Sequence, residues 1–292
     1  LIFNSSDLLD VVDEMPKVYS EPFADSSQIP TFMISKLASK NVRVALSGDG
    51  GDEIFGGYNR YILANKYWFF YRLFPKIIKK LSIKFARLLP QNLLQFLLQK
   101  YSSNPSKFLE KIDNINNEAD YFYSMINEWQ NINDIINFEV FENNKKKEFE
   151  NYDVNTFEKR MMMSDFNNYL PDDILCKVDR ASMYNSLETR APYLDKDVIE
   201  FCFSINNKFL FKNNKSKYIL KDILLDYIPK ELIINKKKGF AVPISDWLKN
   251  ELKDWSNDFL TKEMFTKHNF FKFESISKLN NSNKIWSIIQ FN

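Results

Sequence analysis

One short segment holds most of the residues with which this sequence could do chemistry. Residues 44–58, VALSGDGGDEIFGGY, contain five of the chain's six glycines together with Asp49, Asp52 and Glu53. Glycines in a turn let the backbone approach a ligand closely and present its amide groups. A helix that follows such a turn offers its N-terminus to an anion. On their own, these glycines predict a phosphate site.

The three carboxylates change that prediction, because they would repel a bare phosphate. Mg²⁺ prefers one or two carboxylates together with phosphate oxygens and water, so a cation between the charges resolves the conflict. The segment therefore indicates a Mg²⁺–nucleotide site in which Asp52 holds the metal. It is neither a Walker loop nor a dinucleotide-binding turn, because GxxxxGK[ST] is absent and the glycine spacing does not fit GxGxxG.

A purely structural interpretation of the segment also stays open. The first glycines could form a tight turn, and Asp52 and Glu53 could stabilise the positive end of a helix. Gly56 and Gly57 could serve only to allow close packing. Glycine inside a helix costs about 1 kcal/mol relative to alanine, so either a packed neighbour or a ligand should compensate.

Two elements must position this turn. Residues 26–40 predict an amphipathic helix with Ser26 or Ser27 as its cap and Pro30 in its first turn. VRVAL, residues 42–46, predicts a short strand that is buried or nearly so. Helix, strand, glycine turn and helix are typical of an α/β fold. Since the sequence shows no second convincing strand, we expect the partners in a parallel sheet to lie upstream, outside this sequence.

Composition limits the classes of function. With 40 basic and 38 acidic side chains in 292 residues, the net charge of +2 gives no argument for a nucleic-acid partner. We expect Cys176 and Cys202 to be structural thiols in buried helices and His268 to lie on the surface, which argues against a histidine triad or zinc site. No segment has the pattern of a membrane span or signal peptide, so we expect a cytoplasmic protein.

The rest of the chain predicts helices. Residues 61–100 carry eight basic residues and no acidic one. This pattern fits helices with a core face and a solvated lysine face, or a surface that binds a membrane or another anionic partner. We expect residues 1–60 to be the remainder of an α/β nucleotide-binding core, 61–156 a helical variable region, and 157–292 the helical C-terminal part of the same domain. One helix of that part is predicted to begin at Pro171.

Several motifs together resemble a known family. SGDGGDEIFGGYNRY is similar to the signature of the synthetase domain of glutamine-hydrolysing asparagine synthetases. Further motifs follow in the family's order: SEPFADSSQIPTFMISKLA upstream, and DILCKVDRASMYNSLETRAPYLD, KSKYILKD and KKGFAVPISDWL downstream. The resemblance covers residues 17–60 and 157–250. It implies an α/β fold of the ATP-pyrophosphatase type (adenine nucleotide alpha hydrolase-like), whose parallel sheet is incomplete here, with a large helical C-terminal part.

The resemblance also implies a reaction. ATP adenylates the side-chain carboxylate of aspartate to give β-aspartyl-AMP and pyrophosphate, and ammonia then converts the intermediate to asparagine and AMP. The implied cofactors are ATP and Mg²⁺, the implied partners are aspartate and ammonia or glutamine, and the full-length protein is implied to be a homodimer.

Carried onto this sequence, the family's roles fall on five residues. Ser47 and Gly48 contact ATP, Asp49 acts in forming and consuming the acyl-adenylate, Asp52 ligates Mg²⁺, and Lys217 stabilises charge on the phosphates. Without the resemblance, Lys217 would be interpreted as a solvated helix lysine.

Two further groups have weaker assignments. Asp25, Ser26 and Ser27 could line the aspartate pocket, or they could only cap a helix. A buried ion-pair network with a structural role is predicted for Glu188, Arg190 and Asp195.

The sequence departs from the family pattern in two ways. Residue 1 is Leu rather than the cysteine of the family's glutaminase domain, and the pyrophosphate-binding motif SGGxDS is absent. We therefore expect an N-terminally truncated part of a longer protein that is inactive alone and depends on a missing domain for ammonia. One alternative is a relative that adenylates a carboxylate on a sugar, a peptide or a β-amino acid. Another is a non-catalytic helical module that binds an anionic surface.

Overall fold

The structure is a mostly helical α/β arrangement. The computed structural model describes residues 5–98, 109, 112–129, 132–140, 144–213, 215–233 and 242–291. Its first elements are α1 (Ser5–Tyr19), α2 (Gln28–Ala38), β1 (Val44–Leu46), α3 (Gly51–Ile54), α4 (Asn59–Leu73), α5 (Lys76–Leu88), α6 (Gln91–Leu98), α7 (Glu118–Ile126) and α8 (Lys145–Asn151).

The later elements continue the helical pattern. They are α9 (Phe157–Ser164), a π-helical segment (Asp165–Leu175), α10 (Cys176–Tyr184), β2 (Glu188–Arg190), α11 (Lys196–Ser204), α12 (Asn207–Leu210), α13 (Tyr218–Leu224), α14 (Ile244–Trp247), α15 (Lys253–Phe259), α16 (Lys262–His268), α17 (Phe273–Ile276) and α18 (Ser282–Phe291). Short 3₁₀ turns occur at Ile132–Asp134, Pro192–Leu194 and Lys230–Leu232.

The predicted strand forms, but its partner lies downstream. β1 pairs in parallel with β2, in the register Val44↔Glu188 and Leu46↔Arg190. The prediction that the strand is buried is wrong, because Val44 is 45% and Leu46 75% exposed. Within the described residues, β2 is the single neighbouring strand of β1. The other edge of β1 therefore has no strand beside it among those residues. The sequence concealed β2 because its three residues, Glu-Thr-Arg, lack the β-branched apolar pattern of a buried strand.

The predicted buried ion-pair network around β2 is also wrong. Arg190 Nε lies 2.8 Å from Glu188 Oε1, but both side chains are more than half exposed. Residues two apart on a strand share a face, which brings these charges together without burying them. Asp195 instead caps α11 by accepting a hydrogen bond from the Asp197 amide.

Pro171 does not begin a helix. It lies inside the π-helical segment, which joins α9 to α10 without a break. Proline has no amide hydrogen to donate, and the wider i→i+5 turn around it accommodates the missing bond in a continuous helix. Asp173 therefore lies within a helix, one turn before Lys177, rather than at a helix N-terminus.

The two largest apolar clusters include the helices on either side of the β1 turn in the sequence, α3 and α2. The larger core surrounds α3, α4, α7 and α9 and includes Ile54, Tyr61, Phe122 and Met161. The second core joins α1, α2 and α10 through residues such as Met15 and Phe32 and extends to α14 and α18. The predicted helix over 26–40 is confirmed as α2, with Ile29 and Phe32 buried and Pro30 in its first turn.

The two thiols and the single histidine have different environments. Cys202 is buried as predicted, whereas Cys176 is only partly buried because it begins α10 beside the π-helical segment, and both are free thiols. His268 is exposed at the end of α16, as predicted. Among the described residues, no helix has the length and apolar composition needed to cross a bilayer.

Candidate active site

The turn after β1 is held by backbone hydrogen bonds. The Ser47 amide donates to the carbonyl of Arg190 (2.8 Å), and the Gly51 amide donates to the carbonyl of Gly48 (3.2 Å). Gly50 has φ 82°, a left-handed conformation, and a Cβ there would lie 2.2 Å from Leu194 Cδ2. Glycine is therefore required at this position both for the backbone angle and for the close approach of the 3₁₀ turn.

The helix after the turn is shorter than the sequence suggests. α3 contains only four residues, Gly51–Ile54. A helix dipole sums over aligned peptide units, so a single turn contributes little to anion binding. The dipole of α3 therefore adds little to the phosphate site that the sequence predicts at this turn.

Lys217 lies beside the acidic part of the turn. Its Nζ is 2.9 Å from Asp52 Oδ1, and both side chains are about 70% buried, with 29% and 28% exposure. Lys217 has φ 52° and ψ 39° at the residue before α13. A left-handed conformation at a non-glycine residue costs on the order of 1–3 kcal/mol, and such strain clusters at functional sites.

Gly57 makes the ion pair possible. A Cβ at Gly57 would lie 1.7 Å from Asp52 Oδ1 and 2.4 Å from Lys217 Cε. The Gly57 amide also donates to the carbonyl of Asp52 at 2.7 Å. The two glycines thus have packing roles: Gly57 leaves space for the charged pair, whereas a Cβ at Gly56 would overlap the Phe211 ring.

The backbone at Gly48 is open within the part of the chain that the structure describes. Apart from its two chain neighbours, no described residue has an atom within 4 Å of the position that a Cβ on Gly48 would take. Ser47 and Asp49 flank it and are each partly buried. A ligand could therefore contact the backbone at Gly48 without displacing protein.

Asp25 and Ser27 belong to a second polar cluster. The Ser27 amide and hydroxyl both donate to the Asp25 carboxylate, at 2.9 and 2.8 Å. Ser27 occupies the N-cap position of α2, but its side chain makes no capping bond because it is turned toward Asp25. Lys177 Nζ, nearly buried, pairs with Asp25 and also with Asp173 Oδ1 at 3.2 Å.

The two carboxylates that pair with Lys177 have pKa values shifted in opposite directions. Burial acts to raise the pKa of Asp25, but the charge of Lys177 and hydrogen bonds to it and to Ser27 outweigh it and lower that pKa. Burial and the neighbouring charge of Asp25 raise the pKa of Asp173 to about 7. The cluster can therefore hold or release a proton near neutral pH.

An aromatic and charged layer lies between the turn and the π-helical segment. Tyr58 donates to Glu53 Oε1 (2.5 Å), and its ring lies 6.0 Å from that of Tyr169. The Arg60 guanidinium lies 4.1 Å from the Tyr58 ring centroid and pairs with buried Asp165 at 2.7 Å. This layer connects Glu53, which follows Asp52 in the sequence, to the π-helical segment that contains Asp173.

The sequence matches one family from end to end, over residues 1–292, and that family is asparagine synthase. The chain belongs to the asparagine synthase family.

Individual relatives agree with this assignment. The chain is 30% identical over 293 residues to asparagine synthetase (glutamine-hydrolyzing) 1 of Bacillus subtilis, covering 96% of this chain and 45% of that protein. It is 27% identical over 265 residues to a putative asparagine synthetase of Mycobacterium bovis, covering 87% of this chain and 38% of that protein. A putative asparagine synthetase of Methanocaldococcus jannaschii is 40% identical over 82 residues, 28% of this chain and 16% of that protein.

These alignments also show the extent of the chain. It spans less than half the length of the first two relatives. No solved structure shows a significant match.

In this member of the asparagine synthase family, the structure brings some of the predicted residues together. Ser47, Gly48, Asp49 and Asp52 share one turn, and Lys217 reaches it from far along the chain. Asp25 and Ser27 belong to the other cluster, together with residues that the sequence analysis did not select. Ser26 contributes its carbonyl, which accepts from the Ile29 amide.

The residues that sequence reasoning missed are Lys177, Asp173, Tyr58 and Arg60. Lys177 and Asp173 had a usable signal, because an acid and a base four residues apart share a helix face. Tyr58 and Arg60 lie at or just after the end of the glycine segment, but nothing in the order of residues indicates that Tyr58 would bond Glu53 or that Arg60 would pair with Asp165.

Proposed function

We propose that this chain provides the ATP-dependent, amide-forming half of an asparagine synthetase. Aspartate would be activated as β-aspartyl-AMP with release of pyrophosphate, and ammonia would then displace AMP to give asparagine. Family membership and the names of the relatives support an asparagine synthetase-type ligase. The observation that carries the proposal is the Asp52–Lys217 pair at the open glycine turn.

In the first step, an aspartate carboxylate oxygen attacks the α-phosphorus of ATP and pyrophosphate leaves. Negative charge gathers on the phosphate oxygens, and a preorganised cation beside them stabilises the transition state. The contact of Lys217 with Asp52 beside the turn supports that role for Lys217, and Ser47 and the backbone at Gly48 would bind the nucleotide. The gap beside Gly48 leaves room for the ligand.

In the second step, the nitrogen of ammonia attacks the acyl carbon and AMP leaves with the bonding electrons. The nitrogen must lose a proton as the amide forms. Asp49, between Gly48 and Gly50 in the same turn, is our proposed acceptor.

The residues of the turn fit a Mg²⁺ ion. Asp52 offers a carboxylate on a partly exposed side chain, and Mg²⁺ in nucleotide sites takes one or two carboxylates, with phosphate oxygens and water as its other ligands. Within the described ranges, no group of three or more His, Cys, Asp or Glu side chains is arranged to hold a metal. When bound, the ion would supply charge neutralisation at the phosphates, held by Asp52.

The test is pyrophosphate release by the native polypeptide that contains these residues, supplied with ATP, Mg²⁺ and aspartate. Asp52→Asn should reduce release by about 100-fold or more, because a preorganised charged group is lost. Asp246→Asn, a change to an exposed aspartate on α14, is the matched control and should leave the rate unchanged.

Two results would oppose the proposal. Pyrophosphate release by Asp52→Asn at the native rate would remove Asp52 from the chemistry. Release that depends on a sugar, peptide or β-amino acid carboxylate, and not on aspartate, would replace the acceptor while keeping the adenylation step.

A further inference from the structure

A row of exposed apolar side chains runs along α5. The residues lie on one face because their spacings of 1, 3, 4 and 3 follow the helical repeat. The α5 stripe consists of Ile77 (73% exposed), Ile78 (48%), Leu81 (60%), Phe85 (67%) and Leu88 (77%). Large side chains with this exposure in one row are unusual for a protein surface and mark an interaction site.

The opposite face of α5 holds the helix to the rest of the protein. Ile83 is buried against Leu94 of α6 and Leu109 in a small apolar cluster. Arg87 pairs with Asp113 at 3.0 Å, and Lys79 lies 3.6 Å from the ring centroid of Tyr71. The α5 stripe therefore points away from an anchored face, and folding of the described chain leaves it in contact with solvent.

Positive charge flanks the α5 stripe. Lys76, Lys80 and Lys84 are exposed along one side of it. The interval 61–100 contains eight basic side chains and no acidic one, although the chain as a whole is nearly neutral. The charge is thus concentrated on the same element as the apolar surface.

The surface continues into α6. Leu93, Phe96 and Leu97 are 44%, 68% and 53% exposed, while Leu94 faces inward. Pro75 and Pro90 separate the helices. At 1.5 Å per residue, α5 is about 20 Å long, shorter than the roughly 30 Å hydrocarbon layer of a bilayer. An element of this length can lie in a bilayer surface but cannot cross it.

We propose that the α5 stripe docks this enzyme onto an anionic lipid surface. An apolar face flanked by lysine and arginine is the composition of a helix that lies in the membrane interface, with its apolar side chains among the acyl chains and its basic ones at the headgroups. This docking is distinct from amide formation and leaves the glycine turn as the chemical site.

Other occupants fit the surface less well. A second copy packed stripe to stripe would bring two rows of basic side chains together with no acidic residue from this interval to pair with them. A nucleic acid would match the charge but would leave the central apolar side chains against a polar backbone. An anionic bilayer satisfies both features.

The experiment is flotation of the native polypeptide with vesicles of phosphatidylcholine containing about 30% phosphatidylserine, compared with pure phosphatidylcholine vesicles. Binding should occur on the anionic vesicles and fall at least fivefold between about 0.05 and 0.5 M NaCl, because charge attraction is screened. Leu81→Ser combined with Phe85→Ser should weaken binding about tenfold or more, because two apolar side chains no longer insert.

The matched control is Phe138→Ser combined with Leu232→Ser, which removes side chains of similar exposure elsewhere (52% and 65%). This variant should bind vesicles like the native protein. No ATP is present, so the result is independent of whether the protein makes asparagine.

Three outcomes would overturn the proposal. The first is absence of vesicle binding by the native polypeptide, which is also the result expected if another segment covers the α5 stripe. The second is equal binding by the Leu81→Ser, Phe85→Ser variant. The third is a native dimer, seen by sedimentation velocity, that dissociates in that variant, because a second copy would then occupy the surface.

Discussion

Asp52 Oδ1 and Lys217 Nζ lie 2.9 Å apart, although the two residues are 165 positions apart in the sequence (217 − 52). Gly57 leaves the space in which they meet, since a Cβ there would overlap both side chains. The pair places a cation and a carboxylate together beside the glycine turn. Five mutational predictions follow from this site and from the cluster of Asp25, Asp173 and Lys177.

Lys217→Ala should lower kcat for pyrophosphate release more than it weakens ATP binding. A cation that acts on charge developing in the transition state contributes little to the bound ground state. We expect kcat to fall by about 100-fold and the Kd for ATP to change by less than about fivefold. Lys215→Ala, at an exposed lysine two residues away, is the control. Equal losses in kcat and affinity would assign Lys217 to binding alone.

Gly48→Ala should reduce ATP affinity without affecting stability. A Cβ at Gly48 meets no atom within 4 Å from the described residues beyond its chain neighbours, so these residues can accept it, but the methyl group would occupy the space proposed for the nucleotide. We expect the KM for ATP to rise about tenfold, which corresponds to a loss of roughly 1.4 kcal/mol in binding free energy. The Tm should stay within a degree or so of the native value. Native KM values in Gly48→Ala would move the nucleotide away from this side of the turn.

Gly57→Ala should act on the charged pair. Its Cβ would force Asp52 and Lys217 apart, so kcat should fall about tenfold or more while the helices stay folded. Circular dichroism checks the fold, and pyrophosphate release checks the rate. A native rate in a folded Gly57→Ala protein would show that the observed spacing of Asp52 and Lys217 is not needed.

The pH dependence of stability should report Asp173. Its pKa is raised to about 7, so the folded protein holds a proton there that the unfolded chain has already released between about pH 4 and 7. The contribution of this group to the free energy of unfolding is therefore present at low pH and is lost as pH rises through that interval, by at most about 1.4 kcal/mol per pH unit. The lowered pKa of Asp25 acts in the opposite direction at lower pH.

Asp173→Asn removes this titration. Urea unfolding from pH 4 to 8 should give a free energy of unfolding that falls less with pH in Asp173→Asn than in the native protein. Asp172→Asn is the control, because the Asp172 side chain is 69% exposed. Identical slopes for the native protein and Asp173→Asn would show that Asp173 does not control this dependence.

Lys177→Met should destabilise the protein. Lys177 is nearly buried between Asp25 and Asp173, and its removal leaves two carboxylates close together without a cation. Breaking a buried pair in this way costs about 3–5 kcal/mol, which chemical denaturation would measure. Adding Asp25→Asn and Asp173→Asn to Lys177→Met should restore much of the loss. A free energy of unfolding unchanged in Lys177→Met would show that water already compensates the two carboxylates.

The local pattern of the sequence was enough for several elements. Ile29, Pro30 and Phe32 were enough to predict α2. These residues are close in sequence, and their periodicity depends only on backbone geometry. The glycine turn after β1 was likewise predicted, because its conformational needs are local. The succession of later helices was predicted for the same reason.

Long-range contacts were decided only by the tertiary structure. β2 was hidden because three polar residues form a strand only when β1 offers its backbone groups. The predicted buried network of Glu188, Arg190 and Asp195 failed for the same reason, since burial depends on which elements cover a strand. Pro171 was misassigned because a helix-start signal cannot be told from a π-helical interruption by residue type.

The candidate site shows the same division. Residue types and spacing predicted a glycine turn that carries Asp49 and Asp52, and the family resemblance selected Ser47, Gly48 and Lys217. Only the folded chain placed Lys217 against Asp52 and inserted Lys177 between Asp25 and Asp173. Local conformation depends on neighbours in the chain, whereas charge pairing depends on distances in space that packing of the whole core sets.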